Sequence, residues 1–176
     1  LGVSGGWTPA VHLFTQSGGK LKFREEDQVF IPNKYSSEQI SIGACNGDLT
    51  LEDIIENTPK YLKEFLNIKK TDYDNVEVFS SENKSKRNIW LLPSDKILGK
   101  TKSFVDYQND ATAKDIKLAL REGFRSIEHV KRYTTTGMGT DQGKLGNMHA
   151  LGIISETAGT KMGEHGTTTF RPPYTP

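Results

Sequence analysis

Residues 129–148, HVKRYTTTGMGTDQGKLGNM, concentrate groups that could hold an anion. Lys131 and Arg132 can neutralise a phosphate, and Thr134 and Thr135 offer hydroxyl donors to its oxygens. Gly137, Gly139 and Gly143 allow backbone N–H groups to come close, as anion-binding nests do, and Gly146 is a further glycine of the same loop. Asp141, Gln142 and Lys144 complete the polar set. Asp141 fits poorly beside a phosphate and better on a backbone amide, a ligand's polar edge or a partner chain. The competing reading is a solvated connection between two helices, with Lys131 and Arg132 on a charged face.

A second constellation lies at residues 40–53. Ile40-Ser41-Ile42 reads as a short strand, Gly43-Ala44-Cys45-Asn46-Gly47 as a glycine turn, and Thr50 with Asp53 as the capping box of a helix. Strand, glycine turn and helix N-terminus together favour a bound anion. Gly43, Ala44 and Asn46, with Gly5, Gly6 and Trp7 of an earlier glycine turn, are the expected dinucleotide-binding residues. No GxGxxG fingerprint is present. An ordinary α/β turn explains the same residues equally well. Many dinucleotide sites carry an acid where Ala44 stands, and its absence leans the choice toward NAD over FAD.

Other chemistries find little support. His12, His129, His149 and His165 are scattered, and Cys45 is the only cysteine, so neither a zinc site nor a disulfide is expected. Met138, Met148 and Met162 read as packing residues. A net charge of +1 lacks the basic footprint of a nucleic-acid binder. No apolar run approaches a membrane span, and a lone cysteine with no signal-peptide pattern suits the cytoplasm. Both ends look cut from a longer chain.

The elements that must position these groups follow in order. Thr8 and Pro9 predict a short helix start, with Val11 and Phe14 inward and Gly18-Gly19 as its stop. Residues 20–32 alternate as a ribbon. The helix after Thr50 carries Leu51, Ile54, Ile55 and Leu62, and Pro59 should kink or break it near Thr58. Residues 67–102 read as a linker, with a possible strand at 76–79 and an apolar plug, Ile89-Trp90-Leu91-Leu92. Thr112 and Asp115 form another capping box, before a helix bearing Ile116, Ala119 and Leu120 and ending near Gly123. Ser126 opens a second helix with Ile127 and Val130. Leu145, Met148, Leu151, Ile154 and Ala158 mark a third, ended by Gly159. Residues 161–176 form an extended connector.

The segments SGGWTPAVHL, GACNGDLTLEDI, FVDYQNDATAKDIKLALREGFRSIEHVKRYTTTGMGTDQGK and GTTTFRPPYTP together resemble the α subunits of heterotetrameric sarcosine oxidases. Related amine oxidase and demethylase α subunits share this order. The resemblance implies residues 1–66 as the end of an FAD/NAD(P)-binding-like domain, 103–160 as a small helical domain, and a folate-binding aminomethyltransferase-like domain beyond. It implies NAD on the α subunit, FMN at the interface with a β subunit, FAD in that subunit, tetrahydrofolate as one-carbon acceptor, and smaller subunits besides. The helical part is also similar to [2Fe–2S] domains of the bacterioferritin-associated ferredoxin type. Their cysteine positions fall near Asp106, Gln108, Asp141 and Lys144, and none is cysteine, so no iron–sulfur cluster is expected. With the metal lost, a ligand or partner must order the glycine loop.

The expected fold is a partial α/β dinucleotide-binding lobe followed by an all-α module, mixed α+β overall. The expected role is cofactor binding and subunit contact in a sarcosine-oxidising complex, with no catalytic or metal-ligating residue and no activity in the fragment alone. A non-catalytic helical adaptor is the alternative.

Overall fold

A computed structural model describes residues 7–68, 88–94, 100–144 and 146–166. The chain divides into two compact units, residues 1–88 and 89–176. Among the expected features, Gly5 and Gly6, the strand at 76–79, Leu145 and the end of the connector lie outside the described residues.

The first unit is built on an antiparallel ribbon. Helix α1 (His12–Gln16) leads into β1 (Lys20–Arg24), which pairs with β2 (Val29–Lys34). Val29, Phe30 and Ile31 are buried on β2, and Val11 and Phe14 are buried as well. The helix starts at His12, not beside Thr8 as expected. Its N-cap is the buried Val11, whose N–H donates to the Pro9 carbonyl, so Pro9 belongs to a preceding turn. The expected strand at 40–42 is absent as a ladder partner; Ile42 is extended and runs into a 3-10 turn, Gly43–Asn46.

Helix α2 (Leu51–Leu66) continues through Pro59, so of the kink or break expected there the break does not occur. A proline inside a helix costs about 3 kcal/mol. Here both ends resist fraying. Thr50 accepts from the Asp53 N–H at 3.1 Å, and Asn67 closes the helix in the left-handed conformation. The Asp53 side chain meets the Thr50 hydroxyl rather than its backbone, so the expected capping box is half made. The helix buries no residue, and Leu51, Phe65 and Leu66 are exposed.

The second unit is a three-helix cluster with a small ribbon. Strands β3 (Phe104–Asp106) and β4 (Ala111–Thr112) pair antiparallel. Helices α3 (Ala113–Arg121), α4 (Ile127–Thr134) and α5 (Asn147–Ala158) follow. The Thr112–Asp115 capping box is complete: Thr112 accepts from the Asp115 N–H, and Asp115 accepts from the Thr112 N–H at 2.9 Å. Ile116, Ala119, Val130, Ile153 and Ile154 form the core. Gly159 ends α5 in the left-handed conformation, as expected. Met162 is buried, whereas Met138 is exposed and not the packing residue expected.

Trp90 anchors the apolar plug to α5. Its indole lies over Gly152, where a Cβ would come within 2.2 Å of the ring, and the His149 ring meets it edge-on at 6.1 Å. Glycine in mid-helix is otherwise unfavourable; here it makes the seat. Overall the described residues are mixed α/β, with two antiparallel two-stranded ribbons.

Candidate functional site

Helix α4 and the loop from it to α5 together hold most of the expected site residues. Helix α4 ends at Thr134, and Thr135 caps it with φ +60°. A β-branched residue pays a steric penalty there, and backbone strain of this kind concentrates at functional loops. Gln142 also has positive φ.

The side chains are engaged close to home. Arg132 pairs with Glu128 one turn back at 3.3 Å and donates to the Glu128 carbonyl at 2.9 Å. Both groups are solvent-exposed, so this pair is weak and exchangeable. Lys131 is half-buried on the same helix. The Thr134 hydroxyl donates to the Val130 carbonyl at 2.8 Å and lies 2.7 Å from the Thr136 hydroxyl. Thr135 turns its hydroxyl onto the Thr134 carbonyl. Asp141 accepts from the Gly143 N–H at 3.1 Å, and Gln142 donates to the Gly139 carbonyl at 2.8 Å. Lys144 is half-buried, and its N–H donates to the Asp141 carbonyl.

The loop's glycines serve a different purpose from the one expected. Gly137 is buried with φ +72°, and its N–H donates to Asp106 Oδ2 at 2.7 Å. The Gly143 N–H goes to Asp141. Neither is therefore open to an anion as it stands. The space above both glycines is filled by Asn147: a Cβ at Gly137 would sit 2.2 Å from Asn147 Oδ1, and one at Gly143 2.1 Å from Asn147 Nδ2. Glycine is required here by close packing on a buried amide side chain.

Two residues from the β3–β4 turn hold the loop. Asp106 is buried and accepts four hydrogen bonds. Its Oδ1 takes the N–H groups of Gln108 at 2.8 Å and Asn109 at 3.1 Å; its Oδ2 takes Asn109 Nδ2 at 3.2 Å and the Gly137 N–H. Burial alone would raise its pKa, but the bonds from Gly137, Asn109 and Gln108 outweigh that and hold it below the ordinary 3.8. Gln108 Oε1 accepts from the Thr140 hydroxyl at 3.1 Å and the Asp141 N–H at 3.4 Å. The loop is thus ordered from within, and the expectation that a ligand or partner must order it is corrected. From sequence, Asp106 and Gln108 stand out only as positions of lost thiolates. The run Asp-x-Gln-Asn was a legible signal for an Asx turn. Its tie to Gly137 was not.

In the first unit, the Gly43 turn has φ +69° and is buried, Ala44 is exposed and Asn46 half-buried. Trp7 is 90% exposed. Glu52 and Asp53 occupy the first turn of α2, where their charges already use the positive end of the helix dipole and oppose a phosphate. Asp48 is buried, with Oδ1 accepting from Asn57 Nδ2 at 3.0 Å. Burial, and next the charge of Asp48, raise the pKa of Tyr61; a hydrogen bond with Asn46 opposes them. Among the described residues no group of three or more His, Cys, Asp or Glu side chains could hold a metal ion. Among them no helix is long and apolar enough to cross a membrane.

The family described as the sarcosine oxidase A3 domain matches residues 100–176, which include the whole loop and its anchors. Along its full length the chain is 38% identical to the sarcosine oxidase subunit alpha of Rhizobium meliloti (strain 1021). It is 35% identical to that of Corynebacterium sp. (strain P-1) and 34% identical to that of Corynebacterium sp. (strain U-96), again over all of the chain. The chain spans 18%, 19% and 19% of the length of these relatives. The crystal structure of L-proline dehydrogenase from P. horikoshii superposes with a TM-score of 0.55 at 20% identity, over 96% of this chain and 36% of that one. That likeness extends to the fold. Similarity over the whole chain marks it as a homologue of the sarcosine oxidase α subunits, with residues 100–176 matching the sarcosine oxidase A3 domain.

Proposed function

We propose that this chain is part of the α subunit of a flavin-dependent oxidase that demethylates sarcosine to glycine, yielding peroxide and a one-carbon unit. Its contribution is cofactor binding and subunit contact, with the bond-breaking groups supplied by a β subunit carrying FAD. The observation that carries this reading is similarity over the whole chain to proteins named sarcosine oxidase subunit alpha. Residues 1–66 are assigned to the end of a dinucleotide-binding lobe, 67–102 to a linker, 103–160 to the helical domain and 161–176 to a connector toward a folate-binding domain.

Within it, Lys131 to Lys144 forms the α side of an FMN pocket at the subunit interface. The chemistry of the side chains fits a phosphate: Lys131, Arg132 and Lys144 bracket the loop, and the Arg132–Glu128 pair is exposed enough to exchange for one. The FMN, when bound, supplies electron transfer to O2. This chain's residues would neutralise its phosphate and hold the loop against it. NAD is assigned to the turn at Gly43, Ala44 and Asn46. Because Gly43 has positive φ, a substitution there strains the turn regardless of ligand; Ala44→Arg on the exposed neighbour is the cleaner test, and unchanged NAD content would count against the assignment.

The deciding experiment is Arg132→Ala in the full-length α subunit coexpressed with its β subunit. A charge-assisted contact is worth roughly 1.5–3 kcal/mol, so FMN retention should fall about ten- to a hundredfold. Normal FMN with normal assembly removes Arg132 from both pocket and interface. The alternative, a non-catalytic adaptor, draws on Tyr107 (76% exposed) and Met138 (53% exposed), which flank the Asp106–Gly137 bond. An adaptor would show no thermal shift with FMN or NAD.

A further inference from the structure

We infer that Asp106 is the positioning residue of the 137–143 loop, holding it in ligand-receiving shape before any cofactor or subunit arrives; this rests on the reading of the loop as part of the FMN pocket.

Four observations carry it. One buried carboxylate accepts from two separate segments: its own turn, through Gln108 and Asn109, and the loop, through Gly137, thirty-one residues on. Every acceptor direction it offers is used, so the carboxylate fixes the two segments relative to each other rather than merely tolerating their approach. Gln108 adds the next link, onto Thr140 and Asp141, and leaves no room for a side chain at Gly139, whose Cβ would lie 2.0 Å from Gln108 Oε1. Asn147 closes the other side over Gly137 and Gly143. The loop is therefore pinned at its start by Asp106, at its middle by Gln108 and at its end by Asn147. The strained Thr135 adjoins this pinned stretch, and its left-handed turn directs the chain into it.

The physical consequence is preorganisation. A loop that must be ordered by its ligand loses affinity to that ordering; a loop already fixed does not. Asp106 would then influence cofactor retention without touching the cofactor, through the placement of the side chains that the 137–143 backbone carries, since the Gly137 and Gly143 N–H groups are themselves occupied.

The test uses the full-length α subunit, alone and coexpressed with its β subunit, carrying Asp106→Asn or Gln108→Ala. Two readouts are taken: amide hydrogen exchange in the free, FMN-less α subunit, and the FMN dissociation rate of the complex. Expected in Asp106→Asn is exchange at Gly137, Gln108 and Asn109 at least tenfold faster, with FMN leaving about tenfold faster and Asp106→Glu restoring part of both. If Asp106→Asn fails to fold, Gln108→Ala answers: faster exchange at Asp141 with faster FMN release supports the proposal, and unchanged exchange there overturns it. Unchanged exchange in Asp106→Asn overturns it as well. Arg132→Ala separates this proposal from the reading beneath it. If Arg132→Ala weakens FMN while a loosened Asp106→Asn loop retains it normally, the positioning role is refuted and the pocket stands. If neither variant affects FMN, the pocket assignment fails, and the ligand-positioning role is refuted with it.

Discussion

Gly152→Ala should destabilise the second unit for one reason only, the indole of Trp90. In an isolated helix the same change stabilises by about 1 kcal/mol, because alanine is the better helix former. Here the new methyl would lie 2.2 Å from Trp90 Cδ2 and 2.3 Å from Cγ, and the ring must leave. Trp90 is half-buried, so about 100 Å² of indole returns to water. At about 25 cal/mol per Å² that costs about 2.5 kcal/mol. The two effects leave a net loss of about 1.5 kcal/mol. The sign should reverse in a Trp90→Ala background, where the methyl meets no ring and the helix term alone remains. Urea unfolding followed by circular dichroism measures all four corners of this cycle. A Trp7→Phe background removes the other tryptophan, so that emission reports Trp90 alone; Gly152→Ala should shift it to the red. A Gly152→Ala variant that is stabilised with Trp90 present, or equally destabilised without it, would refute the reasoning.

Further outcomes can be checked in parallel. Thr135→Gly should raise stability by about 1 kcal/mol, since glycine relieves the left-handed strain, and lower FMN retention if that strain serves the loop. Gly137→Ala should cost about 3 kcal/mol by combining positive φ with the contact to Asn147, seen as a lower urea midpoint. The pKa of Asp106 is depressed in the folded state, so its stabilisation is present above the ordinary 3.8 and is lost as pH falls through the lower folded value. The stability gap between the native chain and Asp106→Asn should therefore be full at neutral pH and shrink only in acid; a gap independent of pH down to acid unfolding would contradict this. The 176-residue chain by itself should release no peroxide from sarcosine, and iron and labile sulfide analysis should be blank.

Local sequence determined the elements that local physics controls. The Thr112–Asp115 box, the glycine after α5 and the close antiparallel pairing of β1 with β2 each act within a few residues, so the local sequence carries them, although β2 buries residues 29–32 in a row rather than alternating. Where the local signal was a preference and not a requirement, the structure overrode it. Pro59 disfavours a helix interior, yet α2 continues through it, capped at both ends. Thr8 and Pro9 favour a helix start, yet Val11 takes it. The glycines of the 137–143 loop were conspicuous, but their reason was misread. Composition reports that a backbone is permissive; it does not report what occupies the space beside it.

Only the tertiary structure decided that. Asn147 fills the room over Gly137 and Gly143, and Asp106 takes the Gly137 N–H from thirty-one residues away. Hydrogen-bond partners so distant in sequence leave no periodic trace. A buried acid and a surface acid are the same letter until folding removes one of them from water.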